Sequence, residues 1–226
     1  MNILKYLRKT MNYGMIYYRD RNANSEHPSP MLVACTDSSF GGDADGISVS
    51  GFIIQVVDRK SYLPEDTEYF RSKLLLPRGN VIDYGSNRQR EVTDSSKYSE
   101  YIALHSCVNK TIHKRQIMSE LGFVQTDHLG TIVFIDNSSA IRIVNTWKIG
   151  GRSKHINAKY HVIRQFVIRD QTIDVRKIPT LDNGSDMNTK PLSRIPFEKH
   201  RNDYMTGTDH IEYVPRLKKD RKIISK

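Results

Sequence analysis

The sequence predicts an α/β fold, a mixed sheet with helices on its faces. Three observations predict it. Short apolar runs such as MLVACT (31–36) and TIVFI (131–135) have the length and residue types of buried strands. A long stretch from Lys97 to Leu121 repeats Tyr101, Leu104, Val108, Ile112, Ile117 and Leu121 mostly at helical spacing. The segments also alternate, with strands first and then helices between strands.

In chain order, residues 1–20 read as a short amphipathic helix followed by a strand over Met15–Tyr18. RDRNANSEHPSP (19–30) is polar and proline-marked, a linker. Met31–Thr36 is a strand ending on Asp37, and Ser38–Ser48, dense in Gly, Ser and Asp, is a turn region. Ser50–Val57 is the next strand, residues 58–78 an inserted loop or hairpin, and Asn80–Tyr84 and Arg90–Thr93 two short strands. Asp94, Ser95 and Ser96 offer N-caps for the helix over 97–121, and Gly122 offers its C-cap. A strand at Thr131–Ile135, helices at Asn137–Thr146 and Ala158–Ile168, and a strand at Thr172–Ile178 follow. A last helix is expected from Ser185 to Leu192, and the tail from Thr206 is polar, then basic.

Composition narrows the class. The chain has 35 Lys and Arg against 25 Asp and Glu, a net charge of +10 and a pI near 9.5. That excess suits a polyanionic partner, nucleic acid first, or simply a basic solvated surface. No apolar run approaches the ~20 residues a membrane span needs, so no membrane partner is expected. No secretory h-region opens the chain, and Cys35 and Cys107 form neither a metal pattern nor a disulfide framework. A reducing compartment, cytoplasmic or nuclear, is the expectation.

Four acids stand where chemistry gathers in such folds. Asp37 and Asp136 end strands, Glu100 lies about one turn into the long helix, and Asp186 opens the expected last helix. Carboxylates brought together repel one another, and a hard divalent cation such as Mg²⁺ or Mn²⁺ reverses that penalty. Three of these acids also have an ordinary reading. Asp136 would serve as a helix N-cap, Glu100 as a solvated helix residue, and Asp186 as a first-turn acid favoured by the helix dipole. Spacing alone leaves both readings standing.

The local strings say more. DYGSNRQREVTDSSKYSEYIAL (83–104), DNSSAIRIVN (136–145), RSKHINAKYHVIRQFV (152–167) and IPTLDNGSDMNTKPLSRIPF (178–197) occur in one order. Together they resemble the ribonuclease H domain at the C-terminal end of Ty1/copia-type retrotransposon Pol polyproteins. CTDSSFGGD (35–43) is similar to that family's opening strand, and LKYLRKTMNYGMIYY (4–18) to the segment closing the reverse transcriptase. The resemblance implies a ribonuclease H-like fold, a five-stranded mixed sheet flanked by helices. It implies residues 1–30 as a remnant of the reverse transcriptase and linker, 31–204 as the nuclease domain, and 205–226 as a basic tail without fixed structure. It implies cleavage of the RNA strand of an RNA/DNA hybrid by two Mg²⁺ ions, for which Mn²⁺ substitutes. Asp37, Glu100, Asp136 and Asp186 match the family's metal-binding acids. The basic set Arg152, Lys154, His155, Lys159, His161 and Arg164, with Lys190, would then track phosphates, or form a solvated face. Trp147 would stack on a base or, more in keeping with burial preferences, sit in the core.

Departures are local. Ser39 and Phe40 stand where the family has Asp and Trp, Lys97 and Tyr98 where it has Thr and Glu, and Ser185 where it has Ala. No His precedes Asp186 within 180–185. The chain lacks a Tyr-x-Asp-Asp polymerase signature and is too short for a whole polyprotein, so it reads as a C-terminal piece. The alternative to an active nuclease is a silent nucleic-acid-binding relic or a host-domesticated domain. A further alternative is a partner domain of a reverse transcriptase polypeptide, docked through residues 1–20.

Overall fold

A computed structural model describes residues 2–15, 17, 30–41, 45–58, 79–123, 130–147 and 158–207. Helix α1 (Asn2–Lys9) and a short strand β1 (Tyr13–Met15) come first. The central sheet then takes β2 (Pro30–Ser39), β3 (Val49–Asp58), β4 (Asn80–Arg88), β5 (Thr131–Ile135) and β6 (Ile173–Lys177). Their spatial order is β4-β3-β2-β5-β6. The hairpins β2–β3 and β3–β4 are antiparallel, whereas β5 lies parallel to β2, and β6 parallel to β5.

Both faces of this sheet are covered, which is why its inner strands read as nearly unbroken apolar runs. On β2, Leu32 and Ala34 join one buried cluster, and Met31, Val33 and Cys35 join the other. On β5, Val133 and Ile135 divide from Ile132 and Phe134 in the same way. The first face is closed by helix α2 (Ser96–Glu120), which buries Tyr98, Tyr101, Leu104, Cys107 and Val108. Ser95 caps its start by accepting from the Tyr98 N–H, and Gly122 closes it at φ 85°. Ile117 and Leu121 were expected on the buried face but are exposed, and Met118 is buried in their place. The five-residue step from Ile112 to Ile117 rotates off a stripe that repeats every 3.6 residues.

Helix α3 (Ser138–Val144) crosses after β5. The expected helix over 158–168 is irregular, a 3₁₀ turn at Ala158–Val162 leading into a π-helical turn at Gln165–Arg169. The expected strand over 90–93 does not form. Instead β4 is one longer strand, and Gln89 beyond it turns its amide inward, donating to Ser50 Oγ and the Ser99 carbonyl, each at 2.9 Å. The expected last helix over 185–192 is replaced by two 3₁₀ turns, Thr180–Asp182 and Gly184–Asn188. The α-helix comes later, as α4 (Arg194–Tyr204). Pro196 sits in its first turn, where a missing N–H costs no helical hydrogen bond.

β7 (Met205–Gly207) pairs antiparallel with β1, matching Met205 to Met15 and Gly207 to Tyr13. Tyr6 packs edge-on against Phe197 with ring centroids 5.5 Å apart, and the Arg201 guanidinium lies 4.7 Å over the Tyr13 ring. Residues 2–15 therefore dock on α4, and the tail expected from 205 opens as a strand. The inserted loop beyond residue 58 lies outside the described residues. Among the described residues no helix is long and apolar enough to cross a membrane.

Candidate metal centre

The parallel pairing of β2 with β5 builds the first half of the site. Its last matched pair is Cys35 with Phe134. Continuing both strands two residues brings Asp37 and Asp136 abreast at the same end of the sheet. Asp136 is not the cap of α3. Asn137 is, with Oδ1 accepting from the Ser139 and Ala140 N–H groups at 2.9 and 3.1 Å. Asp136 is thus left for the site, held by the Thr180 hydroxyl, which donates to Oδ2 at 2.7 Å.

Glu100 comes from the first turns of α2. Ser38 Oγ and Ser99 Oγ lie 2.8 Å apart and pin the helix start to β2. Glu100 is only 7% exposed, far from the solvated helix residue its sequence context allows. Burial disfavours its charged form and outweighs the nearby Ser38 backbone, which favours it. One ligand oxygen from each of Asp37, Glu100 and Asp136 lies within 4.8 Å of the others.

Asp186 arrives on the 3₁₀ turn at 184–188, which is tied to the sheet by side-chain amides. Asn183 Nδ2 donates to the Thr36 carbonyl at 3.0 Å, and Asn188 Nδ2 to the Phe52 carbonyl at 3.1 Å. Asn183 Oδ1 accepts from Ser185 Oγ at 2.6 Å. The turn lies so close to β3 that only glycine fits at position 51. A Cβ there would stand 2.6 Å from Thr189 Cγ2 and 2.9 Å from the Ser185 carbonyl oxygen. Thr189 then donates to Asp37 Oδ2 at 2.5 Å. Lys190 Nζ lies 3.0 Å from Asp186 Oδ2 and 3.6 Å from Asp37 Oδ2.

The electrostatics follow from burial. Burial raises the Asp37 carboxyl to about 6 against the Thr189 hydrogen bond, with Asp186 adding to the rise. Burial, then the charges of Asp37 and Asp136, raises Glu100 to about 9. Lys190 loses some basicity to burial, but the surrounding Asp37, Asp186 and Asp136 outweigh that and raise it. Glu100 Oε2 and Asp186 Oδ1 are buried without a hydrogen-bond partner. Such oxygens are costly unless something positive meets them. An all-oxygen donor set with unfilled lone pairs fits a hard divalent cation and has nothing to offer a thiophilic one. Asp37, Glu100 and Asp136 could hold such an ion, with Asp186 beside them.

The expected phosphate-tracking residues divide. Arg152, Lys154 and His155, and the Lys159 side chain, lie outside the described residues. His161 is half-buried, its Nδ1 3.1 Å from the Tyr101 hydroxyl, and burial with the nearby Arg164 lowers its pKa. Arg164, expected to track phosphates, is instead interior. It is 3% exposed and donates from Nε to the Ile143 carbonyl at 3.0 Å, so it supports the interior and offers no surface to a phosphate. Lys190 faces the acids and not an open basic face. Trp147, expected in the core, is 55% exposed. The reading from sequence missed Thr180, Asn183 and Thr189 as positioning groups. The polar density of TLDNGSDMNTK was visible, but which side chain meets which carboxylate depends on the turn folding back onto β2 and β3.

A five-stranded mixed sheet in this order, with acids at two adjacent strand ends, on the covering helix and on the turn after the last strand, is a ribonuclease H-like fold with a candidate cation site. The chain is a relative of the Pol polyproteins of plant copia-type transposons. It is 32% identical over 196 residues to the retrovirus-related Pol polyprotein from transposon TNT 1-94 of Nicotiana tabacum, a match covering 87% of this chain. It is 28% identical over 197 residues to that from transposon RE2 of Arabidopsis thaliana. The chain spans 12% and 11% of those polyproteins. Among solved structures it is similar to LC11-RNase H1 in complex with RNA/DNA hybrid, with a TM-score of 0.43 and 17% identity, covering 70% of this chain and 93% of that one. No protein-family model matches.

Proposed function

We propose that this chain is a retrotransposon-derived ribonuclease H that hydrolyses the RNA strand of RNA/DNA hybrids with divalent cations, Mg²⁺ first and Mn²⁺ in its place. The observation that carries the reading is the convergence of Asp37, Glu100 and Asp136 oxygens within 4.8 Å of one another, two strand ends and one helix meeting on a single spot. Divalent ions held by these acids would lower the pKa of an attacking water and offset charge on the leaving 3′ oxygen. The chain's own residues prepare the site. Thr180 and Thr189 orient Asp136 and Asp37 through their hydroxyls, and the buried Glu100 keeps one oxygen free of protein partners. Glu100 is also our candidate for meeting the ribose 2′-hydroxyl, the group that separates RNA from DNA. A net charge of +10 supports a polyanionic partner, as does the hybrid bound by LC11-RNase H1. The compartment we propose is one that holds nucleic acid, cytoplasm or nucleus.

A second reading, a nucleic-acid-binding module without turnover, is favoured by one observation. Lys190 already sits among the acids and supplies part of the charge that ions would bring. A labelled RNA/DNA hybrid incubated with protein and Mg²⁺, Mn²⁺ or EDTA separates the two. We expect cleavage in either metal, none in EDTA, and a loss for Asp136→Asn exceeding the ~10–100-fold typical of groups that only support ligands. Binding without cleavage in any metal would select the silent module. Cleavage surviving both the variant and the chelator would reject this site.

A further inference from the structure

Asp37, Glu100 and Asp136 converge on one spot with Asp186 beside them, and among the described residues Lys190 is the cation paired with these acids. Lys190 is four residues beyond Asp186, and its N–H donates to the Asp186 carbonyl at 3.2 Å, so the backbone turn sets where the side chain starts. Its ammonium then reaches Asp186 Oδ2 and Asp37 Oδ2. Those two carboxylates are almost fully buried, whereas the lysine side chain is 38% exposed. Asp37 Oδ2 therefore already has the Thr189 hydroxyl as a donor and the Lys190 charge beside it. On the other side Glu100 Oε2 is buried and unpartnered, and so is Asp186 Oδ1 behind the lysine. An ammonium is a compact point charge on a flexible stem, able to swing toward solvent when a stronger cation arrives.

We propose that Lys190 is a built-in competitor for cations on the Asp37–Asp186 side of the site. One divalent ion enters at Asp37, Glu100 and Asp136 with the lysine in place. A second, between Asp37 and Asp186, enters only by displacing the ammonium, which makes loading sequential. The inference rests on the nuclease reading above and deepens it, for it concerns the order in which the same acids are filled. A displaced ammonium remains beside the site, where it can meet a phosphate of the bound strand. Loading of the second ion and capture of substrate thereby become linked.

Titration calorimetry with Mn²⁺ and with Mg²⁺, on the full chain without nucleic acid, reads this directly. For the wild type we expect one tight step and one weak step. Lys190→Met should tighten the weak step by about tenfold or more, the order expected for removing one like charge beside a divalent ion. Lys190→Arg, which keeps the charge, should stay near the wild type. In EDTA, Lys190→Met should melt at a lower temperature than Lys190→Arg, and saturating Mg²⁺ should close that gap. Two equally tight steps in the wild type would overturn the proposal, as would a weak step unchanged or weaker in Lys190→Met. The two readings fail differently. If the wild type binds ions, Asp136→Asn loses the tight step and Lys190→Met matches the wild type, only the competitor role falls. If the wild type binds no divalent ion, the nuclease reading falls with it.

Discussion

Glu100 brings the largest electrostatic cost in the site and therefore offers the clearest pH test. Its folded value, about 9, lies far above the ordinary 4.5 because the carboxylate is buried beside Asp37 and Asp136. Between those values the native protein keeps a proton that the unfolded chain has released. The stabilisation is complete below the unfolded value and is lost as pH rises through the folded one. Asp37, raised from 3.8 to about 6, acts in the same sense over a lower window. In EDTA the melting temperature of the wild type should therefore fall between about pH 5 and pH 8. Glu100→Gln, which cannot ionise, should fall less over the same range, and scanning calorimetry of the two proteins checks it. Equal falls would mean that Glu100 is not the buried acid described. The sequence left Glu100 open because a glutamate in a helix is ordinarily solvated. Nothing local in KYSEYIAL says that Ser38 and Ser99 will pin this turn against β2.

Among the elements, the turn at 184–188 matters most, and its position depends on one residue of β3. Gly51 lies under Ser185, Asn188 and Thr189 with no room for a methyl group. Gly51→Ala should lift the turn, lengthen the Thr189–Asp37 hydrogen bond and move Asp186 and Lys190 away from Asp37. The expected loss is about 1–3 kcal/mol in urea unfolding, accompanied by weaker Mg²⁺ binding in calorimetry. A variant with wild-type stability and wild-type affinity would mean the close approach is not what seats the turn. The inner strands and α2 were legible at this scale, since length, residue type and the 3.6-residue period agree there. The last helix was not. DNGSDMNTKP carries the marks of a helix start, Asn and Ser caps followed by an acid, but its side chains bond to β2, β3 and their own turn. Tertiary hydrogen bonds outweighed local helix preference, and the α-helix formed only after Ser193.

For the whole molecule, the +10 charge predicts how binding to a hybrid should respond to salt. If about four phosphates are neutralised, affinity should drop roughly a hundredfold between about 50 and 200 mM salt, because released counterions drive the association. Fluorescence anisotropy with a labelled hybrid in Ca²⁺ or EDTA measures it, and a flat response would remove the basic residues as the contact surface. Arg164 lies outside that surface, since the fold spends its charge inside on the Ile143 carbonyl. The docking of α1 and β1 on α4 and β7 also belongs to this scale, because it joins residues nearly two hundred positions apart. By itself the sequence determined the class of fold, the inner strands β2, β3 and β5 through their apolar runs, and the candidate acids through the order of their surrounding strings. Such features depend on near neighbours and on the period of each element. Only the tertiary structure decided that Asp136 is free of capping duty, that Glu100 is buried, that Lys190 belongs to the acids and that Arg164 is interior. Each of those depends on which distant segment covers the residue, and a linear pattern of polarity does not encode that.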